Sequence, residues 1–108
     1  IYHITSNEEW KKGLENGVYT PAGYPVDHFI HCSTQEQVLP VAERYYKAAT
    51  DLVLLKIDPS RLPLEVIFEN LEGGQELFPH IYGELNLEAV VGVKQLLKNE
   101  LGYYSFPF

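Results

Sequence analysis

The 108-residue chain contains one cysteine, Cys32, and no methionine. A single cysteine cannot form an internal disulfide, which fits a reducing compartment, so we expect a cytoplasmic protein. It also excludes a zinc or iron–sulfur site built from several cysteines.

Positive charge is scarce as well. The chain has 8 Lys and Arg against 15 Asp and Glu, a formal net charge of −7 at pH 7. Affinity for nucleic acid depends on Lys and Arg contacts to phosphate, so we expect no extended nucleic-acid binding. A small ligand with one or two phosphates is still compatible, because backbone N–H groups at a helix start can hold it.

Long apolar runs and the common nucleotide motifs are also absent. No apolar stretch reaches about 18 residues, so the sequence predicts no membrane span. No signal-peptide pattern opens the chain. There is no G-x-x-x-x-G-K-[ST], G-x-G-x-x-G or G-x-S-x-G motif. The length and a hydrophobic content of 45% predict one domain over residues 1–108.

The residue pattern predicts an α+β fold. Helices are expected over residues 7–16 and 34–49, and residues 18–27 are expected to form a loop because of their Pro and Gly content. The predicted strands are residues 1–5, 28–32, 51–57, 64–69 and 78–82, and residues 89–100 are ambiguous between strand and helix. Two early helices followed by strands predict a split, mostly antiparallel sheet rather than a doubly wound fold.

The start of the second helix carries a capping signal. Ser33 followed three residues later by Glu36 fits a capping box, with Ser33 as the N-cap. Pro40 lies too deep for a first-turn proline, so a kink or a short first turn is expected.

Three of the four histidines lie in the short apolar runs IYHIT, FIHCST and FPHIYG of the predicted strands, each close to a hydroxyl-bearing residue. Burying an imidazole is costly without partners, so three such segments suggest a shared polar pocket. The alternative is three separately satisfied core histidines. The groups are His3 with Thr5, His31 with Ser33 and Thr34, and His80 with Tyr82.

The positions of these groups suggest roles. Ser33 and Thr34 end a strand and start a helix, where free N–H groups favour a bound anion beside His31. Residues two apart on a strand share a face, which places His80 with Tyr82 as acid–base candidates and His3 with Thr5 as a ligand-binding pair.

Other polar residues are expected to be structural. Cys32 is predicted to be a small core residue, His28 to be structural or exposed, and Glu69 to be a solvated strand end rather than an acid or base. No metal is expected, because the three strand histidines lack close ligand spacing.

The combination of IYHIT, FIHCSTQEQV, LVLLKID, Glu69 and FPHIYG resembles the bacterial DUF952 family, whose function is unknown. That family has been grouped with the ADP-ribosyltransferase-like fold, which includes poly-ADP-ribose polymerases and RNA 2′-phosphotransferases. The resemblance therefore implies an ADP-ribosyltransferase-like fold with NAD or a related nucleotide as its ligand.

The resemblance also implies residue roles. His3 and Thr5 are similar to the H-G-[ST] that holds ribose and nicotinamide, without its glycine, and His31 matches the position near the nicotinamide. His80 falls roughly where the catalytic glutamate of that fold is expected.

The leading hypothesis is a nucleotide-binding pocket with His31, His80 and Tyr82 as catalytic residues. His3, Thr5, Ser33 and Thr34 are then expected to bind the cofactor. The alternatives are a non-catalytic binding module, a metal-dependent hydrolase using the three histidines, and a purely structural domain. The aromatic tail, residues 102–108, is expected to pack on a neighbouring surface, in a monomer or a weak homodimer.

Overall fold

The computed structural model describes residues 1–108 and confirms the α+β class. The helices are α1 (Asn7–Asn16), α2 (Tyr24–Asp27) and α3 (Gln35–Tyr45), with single 3₁₀ turns at Pro59–Arg61 and Leu87–Ala89. The strands are β1 (Tyr2–Ser6), β2 (Val18–Tyr19), β3 (Ile30–His31), β4 (Leu52–Ile57), β5 (Val66–Glu69), β6 (Phe78–Ile81), β7 (Leu85–Asn86) and β8 (Val90–Gln95).

The strands form three small sheets, and every pairing is antiparallel. The orders are β1-β4-β8, β3-β6-β5 and β2-β7. Reciprocal backbone hydrogen bonds of 2.8 Å between Tyr2 and Ser33 join β1 to the segment after β3. The first two sheets are therefore linked directly beside His31.

β4 carries the core on both of its faces. Leu52 and Leu54 pack with residues of β1 and α3, whereas Val53, Leu55 and Ile57 pack with residues of β2, β3, β6 and β7. Side chains alternate along a strand, so a strand buried on both sides has a continuous apolar sequence.

Helix α1 occupies the predicted residues because its ends are encoded locally. The Ser6 hydroxyl accepts the N–H of Glu9 at 3.1 Å. Gly17 follows the last residue with φ +82, a left-handed conformation that glycine adopts without steric cost.

Helix α3 differs from its prediction at both ends. Thr34 is the N-cap, and its N–H donates to Gln37 Oε1 at 3.0 Å, so the predicted Ser33–Glu36 box is wrong. Ser33 is instead paired with β1. The helix ends at Tyr45, four residues early, and it continues through Pro40.

Two further expectations need correction. The predicted loop over 18–27 contains β2 and the four-residue helix α2, which makes three helices rather than two. In the ambiguous region 89–100, Val90–Gln95 is a strand and no helix follows it. The aromatic tail packs on the domain as expected, with the Phe106 ring 5.4 Å from that of Tyr2. None of the helices has the length and apolar character that crossing a membrane requires.

Gly13 is buried in α1, and an added Cβ would lie 3.0 Å from Cβ and Cδ1 of Tyr19. Alanine usually stabilises a helix interior by about 1 kcal/mol over glycine. Here we expect Gly13→Ala to lower the free energy of unfolding by roughly 1–3 kcal/mol, because the methyl group overpacks the site. Urea unfolding measures this, with the exposed Glu15→Ala as control, and a stabilised Gly13→Ala protein would contradict the packing argument.

Candidate active site

The site is built on one cross-strand pair. His31 on β3 lies directly opposite His80 on β6. The next residue, Cys32, donates its N–H to the carbonyl of Pro79 at 2.9 Å, so the His31–His80 position is a non-hydrogen-bonded one. Side chains are closest at such positions in an antiparallel pair. His31 Nδ1 accordingly lies 3.2 Å from His80 Nε2.

Glu69 extends this pair into a line of three groups. The register of β5 with β6 places Glu69 opposite Phe78 and next to His80. His80 Nδ1 lies 2.9 Å from Glu69 Oε1, which also accepts the hydroxyl proton of Tyr82. The hydrogen bonds from Tyr82 and then His80 hold the pKa of Glu69 below its ordinary value.

The ionised carboxylate sets the protonation pattern of the line. Glu69 accepts, so His80 Nδ1 carries a proton and, in the neutral ring, Nε2 accepts from His31 Nδ1–H. His31 Nε2 makes no hydrogen bond within the protein. Burial, followed by the charge of His80, lowers the pKa of His31, which leaves Nε2 as a free lone pair near neutral pH.

The line borders a cleft of about 280 Å³. Phe29 stacks on the His80 ring, with centroids 4.3 Å apart and planes inclined by 23°, and Phe78 lies 5.1 Å from the His31 ring. No Lys or Arg lines the cleft, whereas three carboxylates do. The complete lining is Asp27, Phe29, His31, Glu69, Asn70, Leu71, Glu72, Phe78 and His80.

His3 belongs to a separate buried network behind His31. Its Nδ1 lies 2.6 Å from the His31 carbonyl oxygen, and its Nε2 lies 2.8 Å from the Tyr19 hydroxyl. The Tyr19 and Thr5 hydroxyl oxygens are 2.8 Å apart. Burial lowers the pKa of His3 to about 4, so the ring is neutral in the folded protein.

The structure brings the three predicted histidines into contact through His31, which touches His80 by its ring and His3 by its backbone. His3 does not line the cleft beside Glu69; it borders a cavity of about 50 Å³ together with His31 and Ser33. Both His3 nitrogens are already bonded within the protein, and so is the Thr5 hydroxyl. Ligand binding by His3, Thr5, Ser33 and Thr34 stays a prediction.

Hydrogen bonds and burial limit the roles open to Tyr82, Thr34 and Cys32. The Tyr82 hydroxyl donates to Glu69, which raises the pKa of Tyr82, so this phenol supports the carboxylate. Thr34 does not line the cleft beside Glu69, and its N–H already donates to Gln37 Oε1. Cys32 is fully buried, which raises the pKa of its thiol to about 12 and agrees with a core role.

Glu69, Phe29 and Tyr19 are the site residues that the sequence did not identify. Glu69 was expected to be a solvated strand end, and the structure corrects this because the carboxylate joins His80 and Tyr82. Phe29 is the first residue of the FIHCST segment, and its position two residues before His31 is the one sequence signal available for it. Tyr19 lies in the segment 18–27, which the sequence predicts to be a loop, so no strand position could be assigned to it.

The three residues of the line are hydrogen-bonded to one another. No group of three His, Cys, Asp or Glu side chains is placed to hold a metal ion. The ring nitrogens that His31 and His80 direct at each other are already hydrogen-bonded. The geometry therefore lends no support to the three-histidine hydrolase alternative.

An α+β domain with a Glu–His–His line at a cleft is the class that this fold and site define. The model of the DUF952 family, described as a protein of unknown function, matches residues 4–93. The chain belongs to the DUF952 family.

Solved structures of CC0527 from Caulobacter crescentus share this fold. Its X-ray structure is 30% identical to this chain with a TM-score of 0.83, over 96% of this chain and 91% of that one. Its solution NMR structure is 31% identical with a TM-score of 0.81, over 95% and 89%. No curated protein matches the chain.

Acid should destabilise the protein partly through His3. Its pKa falls from 6.5 to about 4 on folding, so between these values the unfolded chain binds more protons and stability falls as pH drops. The shift corresponds to about 3 kcal/mol between pH 7 and pH 4. His3→Asn keeps a donor for the His31 carbonyl but cannot titrate, so its stability should depend less steeply on pH.

Urea unfolding at several pH values between 7 and 4 measures this difference. The control is His28→Asn, because His28 is exposed and has φ +62, a conformation that asparagine tolerates. Equal pH slopes for wild type and His3→Asn would show that His3 is not buried as a neutral ring.

Proposed function

We propose that the protein is an enzyme that binds the nicotinamide-ribose end of NAD, or of a related nucleotide, in the cleft and catalyses an ADP-ribosyl- or phosphotransferase-like group transfer. The observation that carries the proposal is the hydrogen-bonded line Glu69–His80–His31, which ends at a cleft flanked by Phe29 and Phe78. The nucleotide class comes from the resemblance of DUF952 to the ADP-ribosyltransferase-like fold.

The line supplies general acid–base catalysis. His31 Nε2, which has no protein partner, takes a proton from the attacking hydroxyl of the acceptor. His31 Nδ1–H then donates more strongly to His80 Nε2, and the positive charge spreads toward Glu69, which stabilises it. Tyr82 keeps Glu69 ionised and oriented through its hydroxyl hydrogen bond.

The position of Glu69 bears on a weakness of the resemblance. The resemblance puts His80 roughly where the catalytic glutamate of that fold is expected. A histidine in place of this carboxylate favours a non-catalytic binding module. Glu69 Oε1 lies 2.9 Å from His80 Nδ1, so a carboxylate is present beside the imidazole, although it comes from the neighbouring strand. This supports an enzyme over a binding module.

The lining of the cleft fits one end of a dinucleotide. A volume of about 280 Å³ lies just below the range of ligand-sized pockets, about 300–1,000 Å³, and so suits one end of a larger ligand. Aromatic rings and the carboxylates of Asp27 and Glu72 suit a flat cationic ring and ribose hydroxyls. NAD would supply the ribosyl carbon whose bond to nicotinamide breaks.

The acidic cleft does not suit a diphosphate, so that part of the ligand is expected outside it. An adjoining cleft of about 240 Å³ shares Asn70, Glu72 and Phe78 with the first and is lined by Arg44. The Arg44 guanidinium stacks on Tyr45, 5.3 Å from its ring centroid, and forms no ion pair. It is the cation available there to a phosphate.

The first test is a titration with NAD, ADP-ribose and nicotinamide, in which the histidine ring signals are followed by NMR. We expect His31 and His80 to shift together and saturably with NAD. Shifts without nicotinamide release from NAD would single out a non-catalytic module, and no shift with any of the three ligands would contradict the proposal.

Glu69→Gln tests the catalytic line. The amide removes the negative charge that stabilises the positive charge formed on the His31–His80 pair, so we expect nicotinamide release to fall by about 10²–10⁴-fold, with NAD affinity changed far less. The matched control is Glu100→Gln, since Glu100 is exposed and forms no ion pair. Unchanged turnover in Glu69→Gln would remove the carboxylate from the mechanism.

A further inference from the structure

We infer that His3, Tyr19 and Thr5 form a buried positioning network that holds His31 by its backbone carbonyl, and that His3 itself does not contact the ligand. The inference builds on the role proposed for His31. Its first test is a pH titration of His31 in the ligand-free protein, so the positioning network and the proposed function can be refuted separately.

The strand pairing leaves the His31 carbonyl in need of a partner. At a non-hydrogen-bonded position of an antiparallel pair, the backbone groups point away from the opposite strand. The His31 carbonyl therefore receives no N–H from β6, and a buried carbonyl without a donor is costly. His3 Nδ1, at 2.6 Å on the neighbouring strand β1, is the group that satisfies it.

The His31 carbonyl determines the tautomer of His3. A carbonyl can only accept, so Nδ1 carries the proton, and in a neutral ring Nε2 must then accept. The Tyr19 hydroxyl oxygen lies 2.8 Å from Nε2 and 2.8 Å from the Thr5 hydroxyl oxygen. Since its single proton must go to Nε2, the Thr5 hydroxyl has to donate in the second pair. Every donor and acceptor of the network is then assigned, and the hydrogen bonds run in one direction, from Thr5 through Tyr19 and His3 to the His31 carbonyl.

Tyr19 is held firmly enough to act as the anchor of this network. It is fully buried, with the Trp10 ring centred 5.9 Å away and Gly13 packed against it. The network thus connects α1 and β2 to the catalytic line. Since β3 has only two residues, its ladder alone restrains His31 weakly, and the network supplies the missing restraint.

Tyr19→Phe removes the hydroxyl and keeps the ring. With Nε2 left without a donor, the Nδ1 bond to His31 weakens and the His31 ring gains access to water. Because burial is what lowers the pKa of His31, its proton affinity should rise by about threefold to tenfold. The ¹⁵N signals of the histidine rings during a pH titration of the ligand-free protein report this change.

The matched control is Tyr104→Phe. Tyr104 is also buried, and its hydroxyl donates to the backbone carbonyls of Tyr46 and Ala49, neither of which lines the cleft beside Glu69. Both variants lose a buried hydroxyl, so a general loss of stability affects both. A His31 titration that moves in Tyr19→Phe and not in Tyr104→Phe supports positioning, whereas equal shifts, or none, overturn it.

Two further measurements keep the inference testable if Tyr19→Phe folds poorly. In wild-type protein, ¹⁵N spectra should show His3 as the Nδ1–H tautomer, uncharged at pH 6; the Nε2–H tautomer would contradict the network. Replacement of His3 separates the roles, because His3→Asn retains a donor for the carbonyl and His3→Ala does not. His31 should titrate as in wild type only in His3→Asn.

Binding provides the last distinction. If His3 positions rather than binds, His3→Asn should keep NAD affinity within about threefold of wild type, less than the loss of one hydrogen bond to a ligand. A larger loss of affinity with an unchanged His31 titration would mean that His3 contacts the ligand after all.

Discussion

The opposition of His31 and His80 across the β3–β6 pair is the constraint on which the site depends. Alternate side chains of these strands face opposite sides, and Ile30 and Ile81, the neighbouring pair, are completely buried. A slip of one residue in either strand would move its imidazole to the core face and expose its isoleucine. The hydrophobic core therefore sets the distance between the two catalytic candidates.

The two histidine environments differ because of their partners. His3 lies among groups that cannot become charged at neutral pH, a carbonyl and two hydroxyls, so burial keeps it neutral. His80 faces an ionised carboxylate on one side and another imidazole on the other. Buried polar groups need partners, and here the partners of His3 are uncharged, whereas one partner of His80 is a carboxylate.

What could be predicted from the sequence was governed by local signals. Helix α1 was placed correctly because Ser6 and Gly17 end it on either side. The predicted N-cap of α3 is wrong by one residue, because Ser33 forms an antiparallel β-bridge with Tyr2 on β1, which is distant in the sequence. Local capping chemistry cannot reveal a long-range pairing, and a residue satisfied by another strand is not available to cap.

Local signals also limited what could be predicted of the site. The histidines could be assigned to strands from their apolar neighbours, but which of them meet depends on register, which no local pattern specifies. Glu69 illustrates this, because only its pairing opposite Phe78 brings it to His80. Tyr19 lies on a two-residue strand, too short to show the alternation by which strands are predicted.

The charge of the cleft adds a constraint on any ligand. Three carboxylates and the absence of Lys or Arg give it a negative potential, in a chain that is itself acidic. Such a lining stabilises positive charge that develops near Glu69 and repels phosphate. Under the proposed function, the cationic end of a nucleotide is therefore drawn toward the catalytic line, and its phosphates are directed outward to Arg44. The same charge that favours the reacting end of the ligand thus also orients the whole molecule.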